Sequence, residues 1–215
     1  GYRYRDSQLQ GFQGSQGCSA GQVTTLIEVP GKPLGRHEPH PSLVAAAIRG
    51  VADGTVASAA WKRITDILNQ GELGSCTGNA EDGLLGTEPF YDTVKAKTAL
   101  DEKEAVALYS AATKIDPYPG TYPPTDTGSD GLSVAQAAQN AGLIAGYSHI
   151  TTLAQAQTAI QKGPFIVGSN WYTGMDDPDE NGLVRATGSI RGGHEYECVL
   201  RQGHRPVGAG ELVGS

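Results

Sequence analysis

A chain of 215 residues has room for one ordinary domain or two small subdomains around a cleft. Its net charge is −7, with acidic and basic residues interspersed, which argues against a nucleic-acid or anionic-membrane surface built on clustered Lys and Arg. No apolar run approaches bilayer-spanning length, and 30 glycines at 38% apolar content point to abundant loops.

In chain order, residues 1–22 are rich in Gly, Gln and Ser and read as a disordered or tag-like lead. VTTLIEV then begins a β-type run, and Val23 is a candidate natural start because GTG can initiate translation. PGKPLGRHEPHP reads as an exposed, Pro-rich connector. Ser42 to Ile48 and Ala57 to Leu68 have helix-compatible composition, and a helix is expected from Cys76 to Leu85 despite Gly78 and Gly83. Asp101 to Lys114 is the strongest helix, with an acidic first turn and Ala105, Leu108, Tyr109 and Ala112 at helical spacing. A long turn-rich loop, IDPYPGTYPPTDTGSDG, leads to a helix over Ser133 to Asn140 with a Gly142 cap. After Gly146 the pattern changes: a short helix over Ala154 to Lys162, then PFIVGSNWY and EYECVL as strands. A helical half of about 42–145 and a β-rich half of about 146–215 make an α+β protein with its site where the halves meet.

Cys18, Cys76 and Cys198 lie far apart, so no CxxC metal or redox motif exists. Cys76 stands out for its surroundings, NQGELGSCTGNA. Gly71, Gly74 and Ser75 make a tight loop, and the expected helix starts at the cysteine, where unpaired N–H groups stabilise a thiolate. The competing reading is a turn cysteine that happens to begin a helix.

This segment resembles the papain-like (C1) cysteine peptidases, in which a Gln precedes the nucleophile by six residues within a QGxxGSC-type motif. Gln70, Gly71, Gly74, Ser75 and Cys76 stand at that spacing. The resemblance implies a helical subdomain and an antiparallel β subdomain with a cleft between them. It also implies an oxyanion hole from the Gln70 side-chain amide and the Cys76 backbone N–H, where negative charge develops on the attacked carbonyl. Thr77 stands where many members carry an aromatic residue, and SCTGNA is similar to small actinobacterial and phage versions.

RGGHEYECVL supplies the second piece. Gly192 and Gly193 allow close approach, and His194 opens a strand on which it shares a face with Tyr196, Cys198 and Leu200, while Glu195 and Glu197 point the other way. The resemblance makes His194 the general base that takes the thiol proton, giving an ion pair active near neutral pH. Cys198 reads as packing. GSDGLSVAQAAQNAGLI resembles the family's cleft-flanking loop and helix, which makes Asp130 and Gly131 candidate substrate contacts; Gly193 is another because it leaves room for substrate beside His194. HEPH offers too few ligands for a structural zinc, and the DDPDE cluster lacks EF-hand spacing and reads as a solvated turn. No metal or cofactor is implied.

The family orients its histidine with an Asn in an NSWG-type segment, yet GHRPVGAGELVGS holds no Asn. One permitted codon string for this tail, read one base later, gives DIDRLVRVNSWG, so residues from about Gly203 are expected to be a frame-shifted or mis-determined tail. Sequencing the gene there decides this. The expected activity is peptide-bond hydrolysis through an acyl-enzyme, on polypeptide or peptidoglycan-peptide substrates. The alternatives are a phage-type lytic peptidase, a catalytically impaired binding or assembly domain, and a transferase using the same thiol.

Overall fold

The computed structural model describes residues 34–41, 44 and 58–201. The lead, the VTTLIEV run, most of the 42–48 stretch and the tail after 203 lie outside the described residues.

The elements are β1 (Ala59–Ala60), α1 (Cys76–Leu85), α2 (Tyr91–Val94), α3 (Glu102–Ala112), α4 (Gly131–Asn140), α5 (Leu153–Ala159), β2 (Phe165–Tyr172), a 3₁₀ turn (Thr173–Met175), β3 (Ile190–Cys198) and β4 (Leu200–Arg201). Three helices start on side-chain caps that satisfy otherwise orphaned N–H groups. Asp101 accepts from the Glu104 N–H at 3.0 Å, Asp130 from Leu132 and Ser133 at 2.9 Å each, and Thr152 from Gln155 at 3.2 Å. Helix α4 ends at Gly142, whose φ of 71° lets the Leu143 N–H reach back to the Ala138 carbonyl at 3.0 Å.

The apolar row of α3 is buried as its spacing predicts. Leu108 and Ala112 meet Leu85, Val94, Leu100, Val134, Ala138 and Leu143 in the core. Ala112 and Ala138 are small members of this cluster. A Cβ on Gly78 would overlap the Ala105 carbonyl, which explains a glycine inside α1. Helix α1 is thus pressed against α3 on one side and β3 on the other.

β2 and β3 form an antiparallel hairpin in which Phe165 pairs with Cys198, Ser169 with His194 and Asn170 with Gly193, with an irregularity at Trp171/Tyr172. β3 begins at Ile190, earlier than the sequence suggests, because Gly192 and Gly193 join the ladder. His194 therefore sits within the strand instead of opening it.

The helix expected over Ala57 to Leu68 does not form over its described part, 58–68. Ala59 and Ala60 pair with Arg201 and Leu200, and the Trp61 N–H donates to the Val199 carbonyl at 2.9 Å. Arg63 holds Glu197 at 2.9 Å, and the Trp61 indole donates to the Ile160 carbonyl at 2.7 Å. These tertiary partners outweigh local propensity. Ile67 is left 82% exposed, so the segment buries no helical face. The architecture is mixed α+β: α1–α5 lie between β1 and β2 in the chain, and the described strands form two two-stranded antiparallel sheets, β1–β4 and β2–β3.

Candidate active site

The loop before α1 is fixed from three directions. The Gln70 amide donates to the Leu73 carbonyl at 2.8 Å, which closes the turn. The Gly74 N–H donates to Asp126 at 2.7 Å, and the other oxygen of Asp126 accepts the Tyr109 hydroxyl at 2.5 Å. Glu102 of α3 accepts from the Asn69 N–H at 2.8 Å and from the Asn79 amide at 2.7 Å. The strongest helix of the chain is therefore the anvil on which the cysteine loop is shaped. Cys76 emerges as the first residue of α1.

Its thiol is only 1% exposed. Burial pushes its pKa from 9.0 up to about 11, more than backbone hydrogen bonds from Glu195 and Gly35 pull it back; the Glu195 carboxyl also raises it, and Arg36 lowers it. Burial thus favours the neutral thiol at Cys76 over the expected helix-stabilised thiolate. Removal from water outweighs the helix end.

The same contacts locate the thiol. Glu195 directly follows His194 on β3, so the thiol lies against that strand on its Glu195 side, whereas the His194 ring packs with Trp171 and Tyr196. The His194 ring meets the edge of Trp171 at 4.9 Å between centroids and lies 6.0 Å from Tyr196. Trp171 is itself pinned by a 2.8 Å hydrogen bond from its indole to Asp176, and Asp176 also pairs with Arg191. The DDPDE turn, expected to be merely solvated, thus contributes Asp176 as the anchor of the aromatic ring beside the histidine.

The groove is occupied by the chain itself. Leu34 to His37, expected to be an exposed connector, lies extended between the Cys76 loop, the 128–130 loop and β3. The Arg36 N–H donates to the Gly193 carbonyl at 3.2 Å, and the His37 N–H to the Ser129 carbonyl at 2.6 Å. The Ser129 N–H donates to the Gly35 carbonyl at 2.8 Å. Arg36 and Ser129 form a parallel bridge. Gly35 is buried, and a Cβ there would overlap the Gly74 carbonyl oxygen. The His37 ring stacks on Tyr118 at 4.2 Å and lies 2.6 Å from the Thr127 carbonyl. This segment, hereafter the strap, lies beside the thiol, on which Gly35 and Arg36 both act.

The other candidates fall as follows. Gly193 contacts the strap through its carbonyl, and a Cβ there would overlap the Arg36 carbonyl. Gly131 leaves space for Glu195, whose carboxylate oxygen would be 2.5 Å from a Cβ at that position. Asp130 is buried and committed: one oxygen caps α4, and the other accepts the Ser133 hydroxyl at 2.8 Å. It shapes the site through the helix it starts. Among the described residues no group of three or more His, Cys, Asp or Glu side chains could hold a metal, and no helix is long and apolar enough to cross a membrane. Cys76 and Cys198 are both free thiols.

Sequence reasoning missed Gly35, Arg36, Asp126, Trp171 and Glu195. Glu195 offered a signal, since a charged residue adjacent to a catalytic candidate, on the strand face away from it, calls for a partner. The strap offered almost none, because its Pro-rich flanks suit an exposed linker equally well. No family model matches the chain, and no curated protein or solved structure matches it significantly.

Proposed function

We propose that this protein is a cysteine peptidase of papain-like architecture, with Cys76 as nucleophile and His194 as general base, here with its groove closed by the strap. One observation carries the reading: Cys76 opens a helix packed against the strand that bears His194, beside an extended segment held by main-chain hydrogen bonds to Gly193 and Ser129. Such a groove presents backbone N–H and C=O groups to a substrate main chain, the β-type mode of peptide recognition.

On this reading the strap leaves, water and substrate enter, and the thiol loses the burial that holds its pKa near 11. His194 then takes the thiol proton, the thiolate attacks the scissile carbonyl, and the Cys76 backbone N–H with the Gln70 amide stabilises the oxyanion. For Gln70 this means giving up its hydrogen bond to Leu73. The imidazolium returns the proton to the leaving amine, and water hydrolyses the thioester.

The burial of Cys76 and the inward turn of Gln70 also favour a second reading, a papain-like domain kept for binding. Fluorescent casein and purified cell walls, assayed with the parent chain and with Gly35→Ala, separate these readings. Casein cleavage enhanced in Gly35→Ala and abolished by Cys76→Ala and by His194→Ala is the expected result. Cleavage of cell walls alone redirects the substrate to peptidoglycan peptides. Absence of thiol-dependent cleavage in every folded variant rejects the peptidase.

A further inference from the structure

Beside the thiol, the Arg36 side chain lies in a slot made by two glycines and one buried acid. Its Nε is 3.4 Å from Glu195 Oε2, and the two side chains are 12% and 5% exposed. A Cβ on Gly168 would overlap the Arg36 guanidinium, and one on Gly131 would press on the Glu195 carboxylate. Both glycines therefore keep open a flat space matched to a planar guanidinium over a carboxylate floor. Arg36 and Glu195 thus form a largely buried ion pair across the slot.

The charge around the slot is one-sided. Burial is the main cause that raises the Glu195 carboxyl to about 7; Arg36 lowers it and Asp130 raises it further. Glu195 in turn raises the buried Glu81 on α1. A buried acid among acids, reached from the groove, suits a cation; a long planar one fits the glycine slot better than a compact ammonium.

We propose that the Gly131–Gly168 slot floored by Glu195 is a specificity pocket for arginine, and that Arg36 fills it in cis, so peptides accepted by this groove present an arginine there. The inference rests on the peptide-groove reading but does not need catalysis. The competing explanation is a purely structural staple in which Arg36 has no exchangeable counterpart.

The test uses the full chain carrying Cys76→Ala and Arg36→Ala, which vacates the pocket and removes the nucleophile. The probe is the fluorescently labelled tetrapeptide Leu-Gly-Arg-His with blocked ends, followed by anisotropy, against the same peptide with citrulline for arginine. Citrulline keeps the shape and deletes the charge. At least tenfold tighter binding of the arginine peptide is expected, and this preference disappears when Glu195→Gln is added. The Cys76→Ala chain that retains Arg36 binds the arginine peptide at least tenfold more weakly. Equal binding of the two peptides, or no binding to a folded double variant, overturns the proposal.

Should Arg36→Ala prevent folding by leaving Glu195 without its cation, Glu195→Gln with Arg36 in place gives a second reading. Iodoacetamide labelling of Cys76 is expected to rise at least fivefold as the strap loses its charge anchor, and unchanged labelling overturns the proposal. The binding arm lacks a nucleophile, so an arginine preference without any thiol-dependent cleavage elsewhere would sink the peptidase and leave the pocket. Cleavage indifferent to arginine would do the reverse.

Discussion

Replacing Gly35 by alanine tests whether the strap is what hides the thiol. The new Cβ would overlap the Gly74 carbonyl oxygen, a backbone atom whose loop is tied to Asp126, so no side-chain rotation relieves the clash. The strap has to retreat, and the hydrogen bonds at the Gly35 carbonyl and the Arg36 N–H go with it. At about 1 kcal/mol each, their loss is worth about 2 kcal/mol, which raises the open population about 30-fold. Timed iodoacetamide labelling at pH 8, read by mass spectrometry on the Cys76 peptide, reports this population, with the partly exposed Cys198 as internal reference. In the parent chain Cys76 labelling should keep rising with pH beyond 10, because the thiol titrates near 11; in Gly35→Ala the profile should move to lower pH. Equal Cys76 labelling in two folded proteins would mean that something other than the strap buries the sulfur.

Two further outcomes follow from buried acids. Burial, with smaller contributions from Glu195 and Asp82, raises the Glu81 carboxyl from 4.5 to about 8, so the fold favours its protonated form. Its contribution is fully present below about pH 4.5 and is lost as pH rises through 8, at most about 5 kcal/mol for that separation. Glu81→Gln should therefore flatten the decline of stability between pH 5 and 8 in urea melts and exceed the parent at pH 8; parallel curves would contradict this. Asp126→Ala removes the acceptor for both the Gly74 N–H and the Tyr109 hydroxyl, and should cost about 2–3 kcal/mol with a lower melting temperature. A melting temperature unchanged within a degree would show that the cysteine loop does not depend on that carboxylate.

The parts of the fold legible in the sequence are those fixed locally. The acidic start and apolar row of α3, the Gly142 end of α4 and the alternation in β2 and β3 all read directly from residue order. The junctions were not legible. Ala59 and Ala60 form a strand because Leu200 and Arg201 pair with them, and composition carries no trace of that distant pairing. Cys76 and His194 were singled out through their local contexts; in the structure the helix that Cys76 opens packs against the strand that carries His194. The covering of that groove escaped notice because an extended segment docked by main-chain hydrogen bonds needs only small or Pro-flanked residues, the same vocabulary as a solvated linker. Asp130 was expected at the substrate because of its neighbours; its actual duty as a helix cap follows from its place one residue before α4.

The strap is continuous with β1 through residues 38–58, so it competes for the groove as a covalently attached partner. An attached partner presents itself at an effective concentration on the order of millimolar, whatever the dilution of the protein. An outside peptide must therefore beat a rival that never diffuses away, and weak or scarce peptides are refused before any chemistry is reached. One backbone cut in that connection would end the advantage, turning a resident into an ordinary ligand that dilution carries off.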